Sequence, residues 1–93
     1  KKKRTNSLNT LQVCPNPSVK ERGSIKFYVP NKEKVSIDII DLNGNPKINV
    51  FSGVKNKGNY EIEFNSVTLK NSVYYCVLSG ESISKAIKFQ IRK

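Results

Sequence analysis

Val35-Ser36-Ile37-Asp38-Ile39-Ile40-Asp41-Leu42-Asn43-Gly44-Asn45 is the stretch that decides how the rest of the chain is read. Val35, Ile37 and Ile39 alternate with Ser36 and Asp38, which gives one apolar face and one wet face. A period of two marks a half-buried strand. Asp41 to Asn45 then gathers Asp, Asn and Gly, residues that tolerate positive φ or hydrogen-bond their own backbone, so the strand ends in a tight turn. Lys47 to Phe51 follows as a weaker strand with the character of an edge. Ser52 to Gly58 reads as a loop of Gly, Lys and Asn.

The same period extends in both directions. Upstream, Ile25, Phe27 and Val29 alternate with Ser24, Lys26 and Tyr28 until Pro30 stops them, and Asn31 to Lys34 reads as a turn. Leu11-Gln12-Val13 is a short strand that ends at Cys14-Pro15-Asn16-Pro17, and Ser18 to Gly23 is a polar loop. Downstream, Tyr60, Ile62 and Phe64 alternate with Glu61 and Glu63. Asn65 to Ser72 is a connection whose Leu69 plugs the core. Val73 to Leu78 is the most apolar run, expected to be a central strand covered on both sides. Ser79 to Ser82 turns the chain, and Ile87, Phe89 and Ile91 alternate with Lys88, Gln90 and Arg92. No segment has the helical period and no repeat occurs. About seven short strands with turns between them predict an all-β, antiparallel β-sandwich over residues 11–93, preceded by a basic linker, residues 1–10.

Composition sets limits on function. The 93 residues suffice for one core and little more. No apolar run approaches the length of a spanning helix, so no membrane span is expected. Lys1-Lys2-Lys3-Arg4 is not followed by an apolar stretch, so an export signal, if the protein is exported, is expected upstream. The net charge of +10 comes from 17 Lys and Arg against 7 Asp and Glu. Such a charge suits nucleic acid or an anionic surface. It equally describes a solvated tail plus scattered lysines on strand faces. The chain has no His, Met or Trp. That removes the commonest general base and metal ligand, and every Ser-His or Cys-His dyad. An enzyme is not expected.

The residues that invite chemistry each carry a plain structural reading as well. Cys14 and Cys76 admit a disulfide between the first and the central strand, or two thiols serving as small buried apolar groups. Glu61 and Glu63 share a solvated face, where burial cannot tune a carboxyl for acid-base work. Asp41, Asn43 and Asn45 offer alternate oxygens to calcium but lack a closing Glu, and Lys47 follows, so no metal or other cofactor is expected. Phe27, Tyr28, Tyr74 and Tyr75 have the makings of a stacking platform for single-stranded nucleic acid, yet alternating aromatics are commonly core. No nucleic-acid motif accompanies them, and no such partner is expected.

The order of these elements resembles one family. Pro15-Asn16-Pro17 follows the first strand. Val35 to Gly44 then has the pattern Val-x-Ile-x-Ile-x-Asp-x-x-Gly. Gly58-Asn59-Tyr60-Glu61-Ile62 comes next, followed by Leu69-Lys70-Asn71-Ser72-Val73-Tyr74. The chain closes on Lys85 to Lys93, alternating apolar residues with a basic end. In this order they are similar to the type A C-terminal domain of cargo proteins of the type IX (Por) secretion system. Cys14 stands where the family commonly has an aromatic, and Ser72 where it usually has Gly. The resemblance spans residues 11–93 and implies an immunoglobulin-like sandwich. Its motif positions here are Pro15, Asn16, Pro17, Asp41, Gly44, Gly58 and Tyr74.

The resemblance also implies a role. A larger cargo in the same polypeptide crosses to the periplasm. The type IX translocon, with its outer-membrane shuttle and sortase proteins, then reads the last strands. The cargo is cut free near Ser7 to Leu11 and is secreted or attached to the cell surface. Lys85, Lys88 and Lys93, with the face formed by Ile87, Phe89 and Ile91, are the residues this implies for recognition. An edge strand suits that task, since its unpaired N–H and C=O groups accept an added strand, and its lysines discourage indiscriminate pairing. The alternative is an immunoglobulin-like accessory or carbohydrate-binding module of a secreted or surface protein.

Overall fold

A computed structural model describes residues 11–15 and 18–93 and, apart from the side chain of Ser18, their side chains. The basic linker 1–10, with most of the expected cleavage stretch, and the motif residues Asn16 and Pro17 lie outside the described residues.

The strands are β1 (Leu11–Cys14), β2 (Ser18–Val19), β3 (Arg22–Val29), β4 (Glu33–Asp41), β5 (Pro46–Lys55), β6 (Gly58–Asn65), β7 (Ser72–Gly80) and β8 (Ser84–Ile91). They form two sheets, in the orders β1-β3-β6 and β2-β8-β7-β4-β5. Every pairing is antiparallel except that of β2, which runs parallel to β8. β4–β5 and β7–β8 are hairpins within one sheet, while the chain changes sheet after β3, β5 and β6, so β3 pairs with β6 and β4 with β7. The result is the expected immunoglobulin-like sandwich.

Alternation explains which face each strand buries. Ile25, Phe27 and Val29 of β3 oppose Ile62, Tyr60 and Gly58 of β6. Across the core, Ile37, Ile39, Cys76, Leu78 and Ile91 are completely buried. Burial of each large aliphatic side chain contributes about 1.5–3 kcal/mol before the entropy cost. Leu69 fills the core from the β6–β7 connection, as expected. Glu61 and Glu63 lie on the exposed face of β6.

Several boundaries differ from the sequence reading. The expected loop from Ser18 contains β2, a two-residue strand whose Val19 is fully buried. The stretch from Ser52 to Lys55 is strand rather than loop, because it pairs with Glu33 to Ser36. β7 is central in its sheet, yet only its inner side is fully covered. Tyr74, Cys76 and Leu78 are buried, whereas Val73, Tyr75 and Val77 are half-buried on the outer face.

The disulfide reading is corrected. Cys14 and Cys76 are free thiols. Cys14 is the half-exposed neighbour of buried Val13, so it lies off the core face of its sheet. Cys76 belongs to the other sheet and faces the core between its ladder neighbours Ile39 and Ile87 of that same sheet. Burial pushes its thiol up to about 12, with the charge of Asp38 adding to the effect. A thiol reagent should therefore modify Cys14 in the folded protein and reach Cys76 only after denaturation. Two equally fast thiols under native conditions would contradict this placement.

Candidate functional site

The family-motif residues within the described chain hold corners of the sandwich. Asp41 closes the β4–β5 hairpin. Its Oδ1 accepts the N–H groups of Asn43 and Asn45, both at 2.9 Å, and its Oδ2 accepts Asn45 Nδ2 at 3.2 Å. Gly44 adopts φ +90°, where a side chain is strained, and its N–H donates to the Asp41 carbonyl at 3.0 Å. Lys47 Nζ stands 3.8 Å from Asp41 Oδ2. The carboxylate is thus surrounded by donors, an environment that suits a turn and opposes a cation. The Asn45 hydrogen bonds, foremost that from its backbone, hold the Asp41 carboxyl below its ordinary range, outweighing desolvation. A depressed folded-state pKa stabilises above the unfolded value, and that contribution disappears as pH falls through the folded value. Wild type should melt above Asp41→Asn at pH 6, and the two melting temperatures should converge as pH falls through the depressed folded-state value.

Gly58 opens β6 with φ +152°, again in the region glycine favours. Pro15 is exposed after β1. Tyr74 is almost completely buried, and its O–H donates to the Lys70 carbonyl at 2.7 Å, which ties the β6–β7 crossover to β7. A tyrosine at this corner, two residues before a buried Cys, is a feature of immunoglobulin-like sandwiches. Tyr74→Phe removes the donor and leaves that carbonyl short of a partner, so it should cost about 1–2 kcal/mol in chemical denaturation.

The recognition residues named from the sequence separate into two sets. Phe89 and Ile91 are buried and Ile87 is half-buried against the core. That face builds the fold and is closed to a partner in the folded domain. Phe89 packs on Phe64 with ring centroids 6.0 Å apart and on Tyr74 at 6.1 Å. Lys88 is exposed on the outer face, with Nζ 5.9 Å from the centre of the Tyr75 ring. Lys85 is half-buried on the inner face near the β7–β8 turn. Lys93 is bound down: its N–H donates to Asn71 Oδ1 at 3.0 Å, and its Nζ donates to the carbonyls of Leu69 and Val67 at 2.5 and 3.4 Å. Arg92 N–H donates to the Val19 carbonyl at 2.9 Å.

β8 is consequently fixed at its end, while β1 of the other sheet comes near it without pairing. β2 pairs only with Gln90 and Ile91. Among the described residues no strand pairs with the outer edge of Ser84 to Phe89. The neighbouring turn is braced by Glu33, which the sequence placed in a solvated turn but which is buried. Its Oε1 accepts Ser82 N–H at 2.8 Å, and its Oε2 accepts the Ser82 hydroxyl. These hydrogen bonds, the side-chain one first, hold the Glu33 carboxyl below its ordinary range. Nothing local in the sequence marks that contact, since the partners meet only through the sheet.

The four aromatics considered as a stacking platform are not brought together. Phe27 and Tyr74 are in the core, whereas Tyr28 and Tyr75 are half-buried on different sheets. Among the described residues no group of three or more His, Cys, Asp or Glu side chains is placed to hold a metal. Among the described residues no helix is long and apolar enough to cross a membrane.

Compared with known proteins, the chain matches no family model and no curated protein. Among solved structures it is similar to the Pseudomonas fluorescens alkylpurine DNA glycosylase AlkC bound to DNA containing an abasic site analog, with 11% identity and a TM-score of 0.41. The match covers 91% of this chain and 30% of that one. A likeness this distant carries no functional argument.

Proposed function

We propose that this chain is a sorting domain of the type A C-terminal kind, which directs an upstream cargo across the outer membrane through the type IX translocon. On this reading the sortase cuts ahead of β1, since Leu11 is buried and paired with Phe27. The cargo then reaches the surface or the medium by way of the periplasm. The domain performs no chemistry of its own; it is a folded address.

The observation that carries the reading is the character of β8. It is basic, lacks acidic residues, and among the described residues has no strand partner on its outer edge over Ser84 to Phe89. Support also comes from the motif positions. Asp41, Gly44, Gly58 and Tyr74 each occupy a corner that needs that residue type, so the order of motifs reflects one compact unit presenting that strand.

A periplasm-targeted fluorescent reporter fused ahead of the chain tests the proposal in a type IX-secreting bacterium. The expected result is export of the unaltered fusion and periplasmic retention of a Lys85→Glu/Lys88→Glu fusion that still folds. A folded, unaltered fusion that stays in the periplasm would overturn the sorting reading. A glycan-binding screen would then test the accessory-module alternative.

A further inference from the structure

We propose that the open edge of β8 accepts an acidic, extended segment of a partner protein, which adds as a strand through the outward N–H and C=O groups of Ala86 and Lys88. The direction of these groups follows from two hydrogen bonds at the ends of the strand. Gly80 N–H donates to the Ile83 carbonyl in the turn, so Ile83 faces β7. Arg92 N–H donates to Val19, so Arg92 faces away from β7. Backbone groups alternate along a strand. Residues 85, 87, 89 and 91 therefore bond to β7, while 84, 86, 88 and 90 point to the free edge. β2 already uses the last of these positions, in parallel. The pairing is not prolonged because the chain leaves for the other sheet, where Cys14 opposes Ser24.

The opposite edge of the same sheet is protected. β5 begins at Pro46, and its register with β4 shifts twice, between Ile37 and Asp38 and between Ile39 and Ile40. Bulges and proline discourage strand addition. β8 has no proline, and its register with β7 is unbroken from Ser84 to Ile91. Among the described residues, a straight edge without a strand partner is left on one side only of this sheet, and β1 of the other sheet runs close to β8 without pairing with it.

Charge selects the occupant. Lys85 lies on one face of β8 and Lys88 on the other, Arg92 and Lys93 follow, and the strand has no carboxylate. A second β8, or the edge of β5 with Lys47 and Lys55, would set lysines against lysines, which is destabilising. The acidic edge strand β6 of a second copy is a poorer complement. Its Glu61 already opposes Lys26, and its Glu63 lies 3.9 Å from Arg22. An acidic segment from another protein satisfies both the backbone and the charge, and salt should weaken it. This deepens the sorting reading and rests on it for which protein presents the strand. A binding assay in vitro and the export assay can fail independently.

The test uses the 93-residue chain and two capped peptides of equal β-propensity, Thr-Glu-Val-Glu-Val-Thr and Thr-Lys-Val-Lys-Val-Thr. The expected result is binding of the Glu peptide at least about tenfold tighter than the Lys peptide at low salt, with slowed amide exchange at Ala86 and Lys88. Ala86→Pro removes an outward donor and no internal ladder bond, so the domain should still fold and the Glu peptide should bind at least about tenfold more weakly. Equal binding of the two peptides, binding unaffected by Ala86→Pro, or amides already protected in the free chain would overturn the proposal. So would self-association that Ala86→Pro abolishes without any peptide binding.

Discussion

Deleting Ile87 to Lys93 leaves a chain with no cooperative thermal transition by circular dichroism. The deletion removes Ile91 and Phe89, both buried, together with half-buried Ile87. It exposes the edge of β7 from Ser72 to Cys76, which loses its partners Ile91 to Ile87. It also strips the aromatic contacts of Phe64 and Tyr74 with Phe89. Truncating one buried large side chain typically costs about 2–5 kcal/mol. A domain of this size has about 5–14 kcal/mol in total. Losing one Phe and two Ile with their strand exceeds that margin. A surviving sharp transition would mean that β8 is an accessory flap and that the core closes without it.

This expectation changes how a secretion defect is to be read. Under the proposed sorting role, a reporter fusion that loses Ile87 to Lys93 and fails to leave the periplasm would report the collapse of the sandwich as well as the loss of a recognised strand. Charge reversal at Lys85 and Lys88 separates the two, because neither side chain is fully buried. Lys93 is a less informative target. Its ammonium caps the carbonyls of Leu69 and Val67, so its removal loosens the β6–β7 crossover too.

The strands that were legible in the sequence are those whose alternation runs over several residues. β3, β4, β6 and the latter part of β8 declare a buried and a wet face by themselves. β2 was not legible, because two residues cannot show a period. Its only signal was Val19, a lone apolar residue in a polar stretch. The end of β5 was hidden by Ser52 and Gly53, whose composition suits a loop. They are held extended by the facing residues Ser36 and Val35, a non-local contact that propensity cannot encode. The same limit applied to the site. Alternation identified Ile87, Phe89 and Ile91 as one face of a strand but could not tell recognition from burial. The register settles this, since Phe89 pairs with buried Tyr74. Tyr74 preceding Cys76 by two residues was a visible sign of the corner, obscured by the apolar run around it.

Gly23→Ala should destabilise the domain by about 1–3 kcal/mol although it adds a single methyl group. Gly23 opposes Phe64 across β3 and β6. A methyl on Gly23 would lie 2.8 Å from both Cε1 and Cζ of Phe64 and 3.1 Å from the Cys14 carbonyl oxygen. The ring lies over the glycine because only a residue without Cβ leaves room for it. It cannot swing away freely: Phe64 is buried, and Phe89 meets it edge-on from the opposite sheet. The clash is therefore passed to β8 and to the β1 backbone. Phe64→Leu shortens the side chain and should itself cost stability through lost packing. In the double variant the methyl meets a smaller neighbour, so the two costs should sum to more than the double variant loses. A coupling of about 0.5 kcal/mol or more in such a cycle assigns the Gly23 effect to the ring. Strict additivity would instead place the strain at the Cys14 carbonyl, and the ring over Gly23 would then be a bystander.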